Sequence, residues 1–467
     1  MSDTHSNTAA YVRDTMIPQK APPTGQVGAV RWLTENLFSG PVNTILTLLG
    51  VAAVYFLFVH LGPWFQNSIW NANSLAECRE ILDGASGACW GVIKDRWHQL
   101  LFGFYPQYTD PAIISALTGV DLATAKGWGD ASVEAEKGFG VVFRYWRPSL
   151  TFILMVAALV PVLFDAIPRK ALWFSAAFPF LAFWLLWGGS IWFPVFAMMG
   201  FAVGYIAFIA LQRISSLAAT VGAVLAPVIW WFFLAEPIGD AVASAIPISL
   251  VPIQSHDFGG FMISIIIGVT GIALSLPIGI LLALGRQSDM PLVKWICVGF
   301  IEFIRGVPLI TLLFTASLLL NYFLPPGTNF DIVLRVIIMV TLFAAAYMAE
   351  VIRGGFAALP RGQYEAADAL GLDYWKSQRL ILLPQVLKIS IPGIVNTFIG
   401  LFKDTTLVVF IGILDPIGLS SAIRADSNWN GIFMELYAFI ALCFFIFCFG
   451  MSRYSQYLEG KLKTDHH

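Results

Sequence analysis

Residues 359–388 read LPRGQYEAADALGLDYWKSQRLILLPQVLK, the most polar interior stretch of an otherwise apolar chain. Glu365, Ala366 and Ala367 favour a short helix from Gln363 to Leu370, and Gly371 supplies a turn. Asp373 to Leu383 predicts a second helix, stopped at Pro384. Ala366, Ala367 and Ala369 are small enough to let another surface approach, while Glu365 and Arg379 offer polar anchors. A helix, turn and helix of this kind suits a rigid element lying across a membrane face. The surroundings require a membrane. Of 467 residues, 58% are hydrophobic and 12% charged, and the mean hydropathy is +0.75. A water-soluble fold carrying 38 Phe and 16 Trp would expose apolar patches larger than monomers tolerate. A net charge of −2 gives no reason to expect nucleic acid as a partner.

A spanning helix needs roughly 20 apolar residues, and the sequence offers about ten such runs. They lie near 42–62, 149–167, 171–188, 191–211 and 216–235, then near 260–284, 307–324, 332–352, 389–411 and 432–452. The runs are continuously apolar, which excludes the alternating pattern of a membrane β-barrel and predicts an all-α polytopic fold. A polar segment, 63–148, separates the first two runs. Basic residues mark the cytoplasmic side of a membrane protein. With the N-terminus inside, that side receives Arg13, Lys20, Arg31, Arg169, Lys170, Arg213, Arg286, Lys294, Arg305, Arg353, Arg361, Lys376, Arg379, Lys388, Arg453, Lys461 and Lys463, and the short loops opposite receive Arg424. Segment 63–148 is then periplasmic, and both termini are cytoplasmic. Residues 1–40 read as a retained cytoplasmic tail, since no basic region leads into a short apolar stretch with a cleavage site. Cys297, Cys443 and Cys448 sit in apolar runs, whereas Cys78 and Cys89 flank a polar loop. An oxidising periplasm permits a bridge between those two; free thiols are the other reading. Pro277, Pro308 and Pro392 fall inside or at the ends of apolar runs and predict kinks.

The stretch quoted above carries a recurring pattern: Glu365, Ala366, Ala367, then Gly371, then Ile381, Leu383 and Pro384. Seven fixed positions in a loop between two spans resemble the signature by which binding-protein-dependent ABC permeases are identified. FIEFIRGVPLI at 300–310, AYMAEVIRGG at 346–355 and FIGLFKDTTLVVFIG at 398–412 narrow the likeness to permeases for polar amino acids. GACW at 87–90, IPRKAL at 167–172 and GMSRYS at 450–455 are similar to longer permeases of general L-amino acid systems. An apolar pair near 191–235 and extra residues near 109–140 go beyond the usual family pattern. Adding two spans leaves the side of the quoted loop unchanged.

The resemblance implies a type I importer permease core over 255–455, with its coupling loop at 353–388 contacting an ATPase. An N-terminal extension of about five spans would occupy 41–250, and a cytoplasmic tail 456–467. It implies a sister permease, two copies of an ATP-binding subunit that carries the ATP and Mg, and a periplasmic amino-acid-binding protein. The location would be a bacterial inner membrane. Substrates would be L-amino acids, over a broad range or of the glutamate, glutamine, aspartate and asparagine type. No G-x-x-x-x-G-K-[ST] loop occurs, so this chain is not expected to bind nucleotide, and no cofactor is expected on it.

Ionisable groups inside spans are costly and therefore mark functional positions. Lys403 and Asp404, beside Thr405 and Thr406, lie at membrane depth; they suit the two charges of a zwitterionic substrate or an internal ion pair. Glu302 and Arg305 have the i, i+3 spacing of a helix-face pair near the cytoplasmic boundary, suiting a gate or structural pair. Glu350 and Glu435 read as interfacial, and Arg335 as snorkelling from a helix end. No His or Cys spacing suggests a metal, and no nucleophile and base suggest catalysis. A secondary transporter acting without an ATPase and a lipid-modifying enzyme are the rival readings; the intact loop signature opposes the first, the missing catalytic cluster the second.

Overall fold

The computed structural model describes residues 28–105, 145–164, 166–319, 322 and 330–462. The tail up to residue 27, the extra residues near 109–140 and the end of the C-terminal tail lie outside them. The described residues divide into two compact units, one within Met1–Trp70 and Cys78–Cys89, the other formed by Asn71–Glu77 and the chain from Trp90 onward.

In the first unit, α1 (Ala29–Asn36) precedes α2 (Pro41–Gln66), which Pro41 starts at a position where its missing N–H costs nothing. The chain then folds back on the end of α2: Ala88 N–H donates to Trp64 O at 2.8 Å and the Asn67 amide to Ser86 O at 3.0 Å. Cys78, near the middle of α3 (Leu75–Leu82), is disulfide-bonded to Cys89, with Cα atoms 6.1 Å apart and both residues buried.

The second unit runs through α4 (Gly91–Phe102), α5 (Trp146–Leu163), α6 (Leu172–Trp187), α7 (Trp192–Gln212), α8 (Ser216–Ile229) and α9 (Ala235–Ala245). It continues with α10 (Gly260–Gln287), α11 (Pro291–Gly306), α12 (Leu309–Phe314), α13 (Ile332–Ala358), α14 (Arg361–Ala369) and α15 (Tyr374–Ser377). Last come α16 (Leu383–Asp404), α17 (Pro416–Ala425) and α18 (Met434–Leu462). Strand structure is a two-residue pairing of Gly189–Ser190 with Ser249–Leu250. Among the described residues nine helices are long and apolar enough to cross a membrane, ten if a bent pair counts as one. The architecture is all-α and polytopic.

That bent pair corrects the sequence reading, which placed no span at 285–306, one span at 307–324 and a kink at Pro308. Residues 291–306 are helical, and the axis turns by 104° before 309–317. Lys294, Glu302 and Arg305 interrupt the apolar run and hid the helix from hydropathy; Pro308, lacking an N–H, marks the break. A second correction concerns Pro384, which does not stop a helix. A π-helical turn, Gln378–Leu382, joins α15 to α16, so that Pro384 falls in the first turn of α16, where no N–H is required. Another π turn, Trp230–Leu234, joins α8 to α9. There the indoles of Trp230 and Trp231 donate to Phe196 O and Ala197 O of α7 at 2.8 and 2.9 Å.

The packed centre is α10, α13 and α16. Lipid chains are as apolar as Leu, so helices associate in membranes by close backbone approach over small residues. Gly271 lies against Val340 and Leu401, Gly279 against Met348, Gly355 against Ser390, and Gly393 against Val351. A different device ties α5 to α6. Arg147 is fully buried and donates to Leu185 O at 2.5 Å, Val251 O at 3.0 Å and Leu186 O at 3.4 Å. It thereby takes up carbonyls that the end of α6 leaves unpaired. The Tyr105 hydroxyl joins it on Leu186 O at 2.8 Å. Burial pushes that hydroxyl's pKa well above the usual phenol range, against the opposing effect of Arg147.

Candidate functional site

Two sites emerge at the centre: a surface element formed by α14 to α16, and a cavity between α13 and α16. In the element, Glu365 and Ala366 are exposed and Ala367 is buried. Gly371 turns the chain at φ 66°, with open space where a Cβ would be, so its role there is conformational. Asp373 caps α15, accepting from Lys376 N–H at 2.9 Å and pairing with Lys376 Nζ at 3.0 Å. Those bonds hold its carboxyl below the usual carboxylate range. The Gln385 amide donates to Gln363 Oε1 at 2.9 Å, locking α14 onto the start of α16. Ile381 and Leu383 pack on a core that includes Ile352, Phe356 and Val386. Leu370, Tyr374, Trp375 and Leu380 are left exposed as an apolar ridge. The π turn makes α15 continuous with α16.

The cavity holds about 520 Å³ and is lined by Phe343, Tyr347, Asn396, Thr397 and Asp404 among others, with Val351 and Gly393 at the end opposite Asp404. The structure brings Asp404 into it but separates the other members of the expected group. Lys403 is exposed and does not line the cavity. Thr405 is buried and donates to Phe402 O at 2.7 Å, and Thr406 donates to Lys403 O at 2.9 Å. Neighbours on a helix point about 100° apart, so adjacency in sequence separated Lys403 from Asp404. The polar lining that sequence reading missed, Asn396 and Thr397, lies with Gly393, Gly400 and Asp404 on one stripe at spacings of three and four, a periodicity legible in the sequence.

At the Val351 end, Arg286 of α10 reaches Glu350 of α13 at 2.5 Å and Glu302 of α11 at 3.0 Å, and Arg353 reaches Glu350 at 3.0 Å. The expected Glu302–Arg305 pair is only a 4.0 Å approach. Glu350, read as interfacial, is instead the hub of a cluster joining three helices. Glu435 is buried, and Arg335 does not snorkel: it donates to Phe330 O and Ser317 O, both at 2.8 Å. Among the described residues no cluster of His, Cys, Asp or Glu could hold a metal.

Residues 275–464 match the family model described as "Binding-protein-dependent transport system inner membrane component". The chain is 55% identical over 474 residues to the "Glutamate/glutamine/aspartate/asparagine transport system permease protein BztC" of Rhodobacter capsulatus, covering 100% of each. The N-terminal half, including the helix pair near 191–235, therefore has a counterpart in that relative. It is 35% identical over 440 residues to the "Inner membrane amino-acid ABC transporter permease protein YhdY" of Escherichia coli, covering 93% of this chain and 94% of the relative. Among solved structures, "Crystal structure of an amino acid ABC transporter with histidines" is 27% identical, with a TM-score of 0.39, over 43% of this chain and 90% of that one.

Proposed function

The chain belongs to the inner-membrane components of binding-protein-dependent transport systems, in their amino-acid ABC permease branch, and from that premise we propose that it imports glutamate, glutamine, aspartate and asparagine. It is a permease subunit, neither an enzyme nor a secondary transporter. The observation that carries the choice of substrates is the match to BztC along the whole of both chains. Family membership implies an importer complex of paired permeases, an ATPase and a binding protein. In our reading this chain pairs with a sister permease, and two ATP-binding subunits, which hold ATP and Mg, dock on α14 and the ridge formed by Leu370, Tyr374 and Trp375. A binding protein delivers substrate at the opposite face. The α14–α15 surface and both termini face the cytoplasm, and the Cys78–Cys89 loop faces the periplasm.

Closure of the ATPases pushes the surface around Glu365, and the rigid connection through Ile381, Leu383 and Pro384 carries that displacement into α16. Alternating access follows as a rigid-body movement. The cavity along α13 and α16 is the amino-acid path, in which Asp404 meets the α-ammonium that all four substrates share. An unpaired charge is tolerated at membrane depth only where such a partner or water reaches it.

Proteoliposomes containing the chain with its co-purified partners, the binding protein and a panel of labelled amino acids test this. ATP-dependent uptake of the four named amino acids in preference to lysine and leucine is expected. Uptake without ATP, or no preference for the four, would overturn the assignment.

A further inference from the structure

The charges at the inner end of the cavity do not cancel. Arg286, Arg305 and Arg353 meet Glu302 and Glu350, leaving one positive charge in excess. The close contacts are taken by two of the arginines: Arg286 holds one oxygen of each glutamate, and Arg353 holds the second oxygen of Glu350. Arg305 is left with carboxylate oxygens 3.8 and 4.0 Å away, beyond hydrogen-bonding distance. Its Nε is buried without a partner among the described residues, and the side chain is one-third exposed. Its guanidinium lies over the ring of Tyr347, 5.6 Å from the centroid, and Tyr347 lines the cavity. The cavity therefore has an anion, Asp404, toward one end and a loosely held cation beside the other.

We propose that Arg305 is a specificity-determining residue that receives the side-chain carboxylate of an acidic amino acid at the inner end of the cavity. A guanidinium with unfilled donors matches a carboxylate in charge and geometry, and it has no such advantage for the neutral amide of glutamine or asparagine. Asp404 and Arg305 stand on different helices and act in succession: the ammonium is held first, and the acid group is captured as the substrate moves inward. Tyr347, which lies beneath the guanidinium and itself lines the cavity, is the side chain that links Arg305 to it. The inference rests on the reading of this cavity as the amino-acid path.

The test uses the assembled importer with its binding protein in proteoliposomes, measuring kcat/KM for glutamate, aspartate, glutamine and asparagine. The binding protein is unchanged throughout, so any change in selectivity belongs to the permease. Arg305→Gln is expected to lower the two acids about tenfold relative to the two amides, and Arg305→Lys to recover most of that loss. Glu302→Gln, which removes a competing carboxylate without touching Arg305, is expected to raise the acid-to-amide ratio about twofold. Equal losses for all four substrates in Arg305→Gln, or an unchanged ratio in Glu302→Gln, would overturn the proposal. The unsubstituted importer reports separately on the path: if it carries none of the four, the functional reading itself fails and the inference falls with it.

Discussion

The long helices among α5 to α9 and those among α10 to α16 are all apolar enough to cross a membrane, and they differ in what they touch. Of the most apolar window of α13, 56% is buried within the chain, against 11% for the spans built on α6 and on α8 with α9. The charges follow the same division. In the first group the buried charge is Arg147, which is spent on carbonyls at a helix end. In the second, Arg286, Glu302, Arg305, Glu350 and Arg353 form a network at one end, and Asp404 stands in a cavity. Apolar composition thus conceals the difference between a packed permease core and a set of helices whose side chains mostly face outward.

The division breaks most sharply if function can be removed from the core without disturbing its packing. Glu365 is exposed on α14 and holds no ion pair among the described residues. Glu365→Lys reverses charge at the proposed ATPase surface, and like-charge juxtaposition at an interface costs several kcal/mol. ATP-driven uptake should fall at least about tenfold while the level of inserted protein is unchanged. Undiminished uptake would remove α14 from the coupling surface.

Next in size come two charge systems, one in each group, the first partly exposed and the second fully buried. Glu350→Ala strands Arg286 and Arg353 and should cost about 1.5–3 kcal/mol, the range for hydrogen bonds to charged groups, since the cluster is partly exposed. Arg147→Met leaves the carbonyls of Leu185, Leu186 and Val251 without their donor, at about 1–3 kcal/mol for a buried polar group left unsatisfied. Thermal unfolding of the purified protein measures both. If Arg147→Met proves the more damaging, the N-terminal helices are more than an outward-facing set.

A smaller effect should depend on pH. Asp415 caps α17, accepting from Gly418 N–H at 2.8 Å, while its other oxygen has no partner among the described residues. Burial raises its pKa to about 6, outweighing the N–H groups of Gly418 and Ile417 that favour the anion. The folded protein therefore holds this proton more tightly than the unfolded chain does. Its stability contribution is present below pH 4 and declines as the pH rises to about 6. Asp415→Asn keeps the cap and cannot ionise. Its unfolding temperature relative to the parent protein should rise between pH 4 and 7, by the equivalent of at most about 3 kcal/mol. A pH-independent difference would mean that Asp415 stays ionised throughout.

Much of this was legible from residues alone, because the physics involved is local or periodic. Continuous apolar runs fix helical spans, since no other open structure satisfies its backbone in lipid. The Glu365 to Pro384 pattern located the surface element. What escaped depended on distance or direction. Charge hid α11: Lys294, Glu302 and Arg305 lowered its hydropathy, and the residues that Glu302 and Arg305 face, Arg286 and Glu350, lie on other helices. Pro384 looked like a helix stop because the preceding π turn, which admits it, has no clear sequence mark. Lys403 and Asp404 looked like one site because they are adjacent, yet helical geometry turns neighbours apart. Arg147 pairs with carbonyls, and carbonyl partners are invisible in a sequence.

The smallest effect bears on the division itself. Phe232 sits in the π turn between α8 and α9 and is 79% exposed, whereas Ile352 in α13 is fully buried. Truncating Ile352 to Ala opens a cavity that packed neighbours cannot fill and should cost about 2–5 kcal/mol. Truncating Phe232 to Ala should change stability by less than about 0.5 kcal/mol, because a lipid chain replaces the lost contacts as readily as the ring made them. The comparison is made twice, on the isolated chain and on the assembled importer. Near-neutrality in both places the α8–α9 face in lipid. A loss confined to the assembled importer would show that another subunit covers this face, and the outward-facing helices would then be a binding surface within the complex.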